Sequence, residues 1–366
     1  MSIHRLKLVS VRNHDKSEFI FGPGVTVIWG QNGSGKTTVL ESINTLSLGN
    51  SFKTNKQKEL ISAGQKEAFI FGEFKSSNYQ DSIAANISSQ KGQQIKLNGK
   101  KITGRKALLG RNPTVVLSPE EQGLTQGPPS QRRKFFNKVF SVISKEYFQL
   151  LQNYNKIKKQ RSFAIAQHKG NETANNSLDL WNVQLATSGA GLWKARADLM
   201  CAFNSKLEKV SQMFGSSFKV AIIYNPVLSC AEEYLLELEK SFKRDLVLGR
   251  TSFGPHCDEM VINIFGKNIK MFGSQGEHKL ALIILKLTEL FFIKKHTGIT
   301  PILLLDDLFS KLDLDRSKQI IELLKKLEEG YEKPIQTVLT TTDVLDIQNT
   351  TFKVPIEKRY TYHLLR

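Results

Sequence analysis

Gly30-Gln-Asn-Gly-Ser-Gly-Lys36-Thr37 follows the apolar run Val25-Thr-Val-Ile-Trp29 and opens a segment, Lys36 through Val39, Leu40 and Ile43 to Leu46, with apolar residues at helical spacing. Strand, glycine loop and helix start, in that order, are the setting in which the pattern G-x-x-x-x-G-K-[ST] holds phosphate. The glycines let backbone N–H groups turn inward, and the helix N-terminus adds its positive dipole. The spacing assigns Gly30, Gln31, Asn32, Gly33, Ser34, Gly35, Lys36, Thr37 and Thr38 to nucleotide binding. Lys36 is placed on the β and γ oxygens as a catalytic cation and Thr37 on Mg2+, so ATP and Mg2+ are the expected ligands.

Working outward, Pro301-Ile-Leu-Leu-Leu-Asp306-Asp307 is an apolar run ending in two carboxylates. By itself it could be an ordinary strand end. Together with the loop it reads as a Walker B strand, delivering Asp306 to the metal and Asp307, as catalytic base, to an attacking water. Ahead of it, Phe272-Gly-Ser274-Gln275-Gly276-Glu277 precedes an apolar helix through Leu280, Ala281, Ile284 and Leu287. This run resembles the signature motif of the ABC ATPase class, in which Ser274, Gln275, Gly276 and Glu277 would meet a nucleotide bound by the other protomer of a head-to-head dimer. The plainer reading is a serine cap with glutamate at N3. Ser310-Lys-Leu-Asp313 resembles the D-loop of that class, placing Ser310 and Asp313 at the dimer interface.

With 366 residues, 40% apolar and 23% charged, the chain has room for an ordinary core, and its 22 Phe exclude a mostly disordered chain. Lys and Arg number 52 against 34 acids, a formal charge of +18 that points to a polyanion, with nucleic acid the best fit. Cys201, Cys230 and Cys257 lie far apart without metal-ligand spacing, which argues for a reducing compartment. The N-terminus has no uninterrupted apolar stretch of signal-peptide type, and no run approaches the roughly 20 apolar residues of a membrane span. A soluble, cytoplasmic protein without a membrane partner is the expectation.

Short alternating runs between about Glu67 and Asn98 suggest a small antiparallel sheet, and Thr114 to Leu117 another strand. After the break at Gly127-Pro-Pro129, apolar residues from Phe136 to Ile157 recur every three to four positions as one long helix; a second runs from Trp181 to Val210. The polar stretch Lys169 to Ser177 between them reads as the loop of an antiparallel helical pair. Apolar runs alternating with helices beyond residue 250, including a helix near Leu314 to Glu329, indicate a parallel sheet. The fold expected is α/β: a P-loop ABC-type ATPase head, a mixed sheet with flanking helices, formed by 1–126 and 250–366 and interrupted by a helical arm subdomain at 127–249.

From Ser130 to Gly170 ten Lys or Arg face one acid, Glu146. Arg132, Arg133 and Lys134 sit where a helix begins, against its dipole, which suggests a bound anion. With Lys138, Lys156, Lys158, Lys159 and Arg161 they form the expected DNA-binding set, contacting backbone without reading sequence. A second acid-free stretch runs from Lys91 to Arg111.

With these residues in view, the chain resembles the RecF family of bacterial DNA replication and repair proteins, related to the heads of SMC proteins. Leu117-Ser-Pro-Glu120, Ser130-Gln-Arg-Arg133, Gly249-Arg-Thr251 and Gly254-Pro-His256 add to the likeness, which spans nearly the whole length. The resemblance implies an ATP-dependent homodimer, weak DNA-stimulated ATP hydrolysis, binding to DNA at single-strand gaps, and help in loading recombinase, with RecO and RecR as partners. It also sets Arg12, beside Asn13, where related heads place a phosphate-sensing or base-contacting residue. Asp307 stands where most ABC ATPases carry Glu, and Thr342 where a switch His is usual, so slow hydrolysis acting as a timer is expected. A nucleotide-gated scaffold that recruits recombination partners, with DNA binding secondary, is the alternative; a transporter subunit would require Glu at 307 and His at 342.

Overall fold

The computed structural model describes residues 1–364 apart from 77–78, 168–174, 215–217, 229, 308–334 and 343–359. The expected D-loop residues Ser310 and Asp313, the helix at 314–329 and Lys169 lie outside the described residues. The chain divides into two units, Met1–Gln122 with Leu285–Arg366, and Gly123–Ile284.

The first unit opens with β1 (Ser2–Val11), β2 (His14–Ile20) and β3 (Val25–Gly30), followed by α1 (Lys36–Leu48). Then come β4 (Glu67–Lys75), β5 (Gln80–Ser88), β6 (Gly92–Leu97), β7 (Lys100–Ile102) and β8 (Thr114–Leu117). Alternating burial in β4 and β5 is the mark of a sheet with one wet face, and these strands join an antiparallel sheet ordered β2-β1-β4-β5-β6-β7. β3 and β8 belong to a second sheet, described below once its remaining strands have been introduced.

In the inserted unit, α2 (Gly123–Gln126) leads into α3 (Pro129–Ile143), α4 (Lys145–Gln167) and α5 (Asn175–Met213). The single helix expected over 136–157 is divided at Ser144. That residue leaves helical geometry at ψ 113°, and its hydroxyl accepts the Tyr147 N–H at 3.0 Å, capping the next helix. α4 and α5 run antiparallel: Arg161 Nε donates to Asn182 Oδ1 at 2.7 Å near one end, and Arg196 Nε to Tyr147 Oη at 3.3 Å near the other. β9 (Val220–Ile223), α6 (Ala231–Lys240), α7 (Phe242–Leu248), β10 (Val261–Ile264), β11 (Lys267–Asn268) and α8 (Ile269–Phe272) complete the unit. Residues 250–284, expected with the head, group with the insertion instead, because β10 pairs antiparallel with β9 and β11 in a three-stranded sheet.

α9 (Gln275–Thr297) carries the chain back to the first unit, where β12 (Ile302–Asp306), β13 (Thr337–Thr341) and β14 (Tyr360–Leu364) follow. With β3 and β8 they form an all-parallel sheet ordered β14-β3-β13-β12-β8. Every residue of β12 and β13 is buried, as continuous apolar strands of a covered parallel sheet should be. The mixture of strand directions read from the sequence is thus divided between two sheets. α1 packs Val39, Leu40, Ile43 and Leu46 into a core shared with both.

Two buried arginines of the inserted unit pair with buried aspartates. Arg161, fully buried, pairs with buried Asp245 at 2.6 Å and donates to Thr251 Oγ1 at 3.0 Å. Arg196 pairs with buried Asp258, which also accepts from Trp193 Nε1 at 2.8 Å and Tyr224 Oη at 2.7 Å. Removing one member of such a pair strands its partner's charge in the interior. Arg161→Ala is expected to destabilise the protein by about 3 to 5 kcal/mol, and Lys159→Ala, an exposed neighbour, by less than about 0.5 kcal/mol, both read from denaturant midpoints.

Candidate nucleotide site

The loop between β3 and α1 turns on glycines whose backbones no other residue adopts easily: φ is 85° at Gly33 and 95° at Gly35. Lys36 is almost fully buried, its ammonium donating to the carbonyls of Gly30 at 2.8 Å and Gln31 at 3.0 Å. Thr38 N–H donates back to Gly35 O at 2.9 Å, starting the helical ladder.

Two strands away, Asp306 ends β12. Thr37 Oγ1 donates to Asp306 Oδ1 at 3.0 Å, and Thr340, on the intervening β13, donates to the same oxygen at 2.7 Å. The parallel register puts Asp306 beside Thr340 and Thr340 beside Ile28, so three neighbouring strands converge on this point. Thr340 Oγ1 also accepts the Asp307 N–H at 3.1 Å, so one hydroxyl holds both consecutive acids. Burial pushes the Asp306 carboxyl above its usual range; the Thr340 and Thr37 hydroxyls pull it down, and Asp307 and Glu120 nearby push it up. A hydroxyl and a carboxylate oxygen 3.0 Å apart at a loop for phosphate form the hard-oxygen donor set that Mg2+ takes, and its charge would offset the burial of Asp306.

Arg12, expected on the nucleotide, is held by α1: its Nη2 donates to Glu41 Oε1 at 2.8 Å, and Glu41 is fully buried. Ser274 and Glu277 form a reciprocal capping box, with Ser274 N–H to Glu277 Oε2 at 2.7 Å and Glu277 N–H to Ser274 Oγ at 3.3 Å, so the plainer reading of these two residues is realised. Ser274 and Gln275 are nonetheless exposed, next to Met271 and Phe272, which are 73% and 67% exposed. Thr342 is exposed just past β13.

The expected DNA-binding set divides. Lys134, Lys156 and Lys159 are exposed, Lys158 is half-buried, and Lys138 lies over the Phe135 ring at 5.7 Å. Arg133 is half-buried with Nη1 on Asp258 O at 2.6 Å. Arg132 and Arg161 are corrected. Arg132 is 4% exposed and donates to Gly127 O at 3.0 Å and Glu259 Oε1 at 3.5 Å; Arg161 is bound to Asp245. Arg132 answers the opposing helix dipole with a backbone carbonyl and a carboxylate rather than an external anion.

Sequence reasoning missed Thr340, Glu41 and His14. Thr340 lies within Leu339-Thr-Thr-Thr342, where only strand register tells which hydroxyl meets Asp306. Thr340→Val is expected to lower ATP turnover by roughly tenfold or more, and Thr340→Ser to stay within about threefold. Equal turnover in wild type and Thr340→Val would remove Thr340 from the site.

Residues 2–358 match the family model described as RecF/RecN/SMC N terminal domain. A DNA replication and repair protein RecF of Alkaliphilus oremlandii is 33% identical over 352 residues, 93% of each chain. Another from Halalkalibacterium halodurans is 32% identical over 363 residues, 96% of each. A solved structure described as the recombination mediator protein RecF with ATP in the RecFOR pathway superposes with a TM-score of 0.85 at 32% identity, covering 93% of this chain and 92% of that one. An Smc head bound to the C-terminal winged-helix domain of ScpA, 16% identical with a TM-score of 0.56, shares the fold over 96% of this chain and 92% of that one. On this evidence the chain belongs to the RecF family of the SMC-type ABC ATPases.

Proposed function

We propose that this chain is an ATP-gated DNA clamp of recombinational repair and replication: it dimerises head to head on ATP, holds DNA backbone at single-strand gaps, and helps load recombinase with RecO- and RecR-type partners. The observation that carries the reading is the hydrogen-bonded line Thr37–Asp306–Thr340 at the mouth of the glycine loop. Mg2+ bound by Thr37 and Asp306 would neutralise charge on the β and γ oxygens. Lys36 releases the loop carbonyls to meet those oxygens, and the N–H groups starting α1 bind the phosphate between them. Asp307 orients the attacking water and accepts its proton.

Exposed Met271 and Phe272 beside Ser274 support the dimer reading, since large apolar side chains next to a helix start suit a surface that another protomer covers. The exposed lysines at 134, 156 and 159 support contact with phosphates. Among the described residues no helix is long and apolar enough to cross a membrane. Asp307 and Thr342 support slow turnover, because a shorter carboxylate and a hydroxyl position water less firmly than Glu and His.

Binding of a labelled gapped duplex, followed by anisotropy with no nucleotide, ADP and ATP, tests the reading, with light scattering reporting mass. Wild type is expected to bind at least tenfold more tightly with ATP and as a dimer, Asp307→Asn to stay in that state, and Lys36→Ala and Ser274→Arg to remain monomeric. Lys156→Ala with Lys159→Ala should lower the log–log salt slope by about 2. Affinity indifferent to nucleotide would overturn the clamp and leave a scaffold.

A further inference from the structure

A phosphate loop presents its N–H groups inward only when its carbonyls are turned outward and bonded. Lys36 serves those of Gly30 and Gln31. The carbonyl of Gly33, and that of Gly35 alongside the Thr38 N–H that starts α1, are met from a different element, the turn joining β1 to β2: Asn13 Nδ2 donates to Gly33 O at 2.5 Å and His14 Nε2 to Gly35 O at 3.1 Å. Since a carbonyl only accepts, Nε2 carries the proton, and Nδ1 accepts the Ser17 hydroxyl at 2.9 Å. Burial lowers the His14 pKa, consistent with that neutral tautomer.

The turn itself is pinned. Val11 pairs with His14, Arg12 N–H donates to Leu60 O at 2.9 Å, and Ser62 Oγ donates to Arg12 O at 2.6 Å. The Arg12 side chain is tied to Glu41 of α1, the helix that the loop opens. The approach is close: a Cβ added at Gly35 would stand 2.5 Å from His14 Nε2.

We propose that Asn13 and His14 are positioning residues for the phosphate loop, holding the Gly33 and Gly35 carbonyls outward so that the loop N–H groups face the β-phosphate of MgATP. This rests on the loop binding nucleotide. When Lys36 leaves the loop carbonyls for phosphate oxygens, the two donors from the β1–β2 turn remain and keep the loop open. They touch no phosphate themselves, so their effect falls on nucleotide affinity and not on the chemical step.

The test is MgATP binding by calorimetry, with kcat and KM, for wild type, Asn13→Asp, His14→Leu and His14→Gln. Asn13→Asp turns a carboxylate towards the Gly33 carbonyl; His14→Gln keeps an N–H donor at similar reach. Asn13→Asp and His14→Leu are expected to raise Kd and KM roughly tenfold or more, with kcat at saturating ATP within threefold and unchanged nucleotide-free DNA binding. His14→Gln is expected within threefold of wild type. Kd within twofold of wild type in both disruptive variants, or His14→Gln as weak as His14→Leu, overturns the proposal. If His14→Leu fails to fold, Asn13→Asp decides, because Asn13 is exposed. Wild type that binds no MgATP would instead sink the nucleotide reading itself.

Discussion

The first unit is organised by the need to place one buried carboxylate, Asp306, at the mouth of a glycine loop two strands away. A lone carboxylate at that depth would take up a proton. Two threonine hydroxyls from different elements, Thr37 opening α1 and Thr340 ending β13, hold it in place. The parallel register makes this possible: loop strand, threonine strand and acid strand lie side by side and end at the same level. An out-of-register β13 would place a different threonine, or none, against Asp306, so the continuous burial of β12 and β13 is what fixes the site.

The inserted unit meets the opposite problem, too much positive charge in a bundle of long helices. It sets two of its buried arginines each against one aspartate, and surrounds those aspartates with hydroxyl, indole and backbone donors. Cations that a count along the sequence assigns to one basic face therefore have two fates. Arg161 and Arg132 tie the unit together, whereas Lys134, Lys156 and Lys159 stay in solvent. Burial separates structural from available charge, and helical spacing alone does not, because a long side chain reaches around its own helix.

The loop, the acid-ended strand and the serine start of α9 were legible because each is a local pattern: glycines at fixed spacing, an apolar run, a serine three residues before a glutamate. The division of the strands into two sheets was not, since it depends on distant pairings, β1 with β4 in one sheet and β12 with β8 in the other; nor was the grouping of 250–284 with the insertion, which depends on β10 pairing with β9 some forty residues earlier. The break at Ser144 was hidden by apolar spacing that runs through it unchanged. No local pattern marks Asn13 and His14, and only their meeting with Gly33 and Gly35, about twenty positions on, shows what they bond.

The aspartate at 307 follows from the backbone that carries it. Its φ is 46°, in the left-handed region, where Asp is several-fold enriched over other non-glycine residues because its short side chain can bond locally. Its N–H is fixed there by Thr340 Oγ1, the hydroxyl that also donates to Asp306. A glutamate at this position would gain a methylene of reach towards a water and lose the side-chain length that the left-handed backbone favours. Under the function proposed here, the left-handed backbone at 307 favours the shorter carboxylate, and that carboxylate, with Thr342 just past β13, would orient water less firmly than Glu with His. The slow hydrolysis proposed above would then come out of the same local geometry that builds the site.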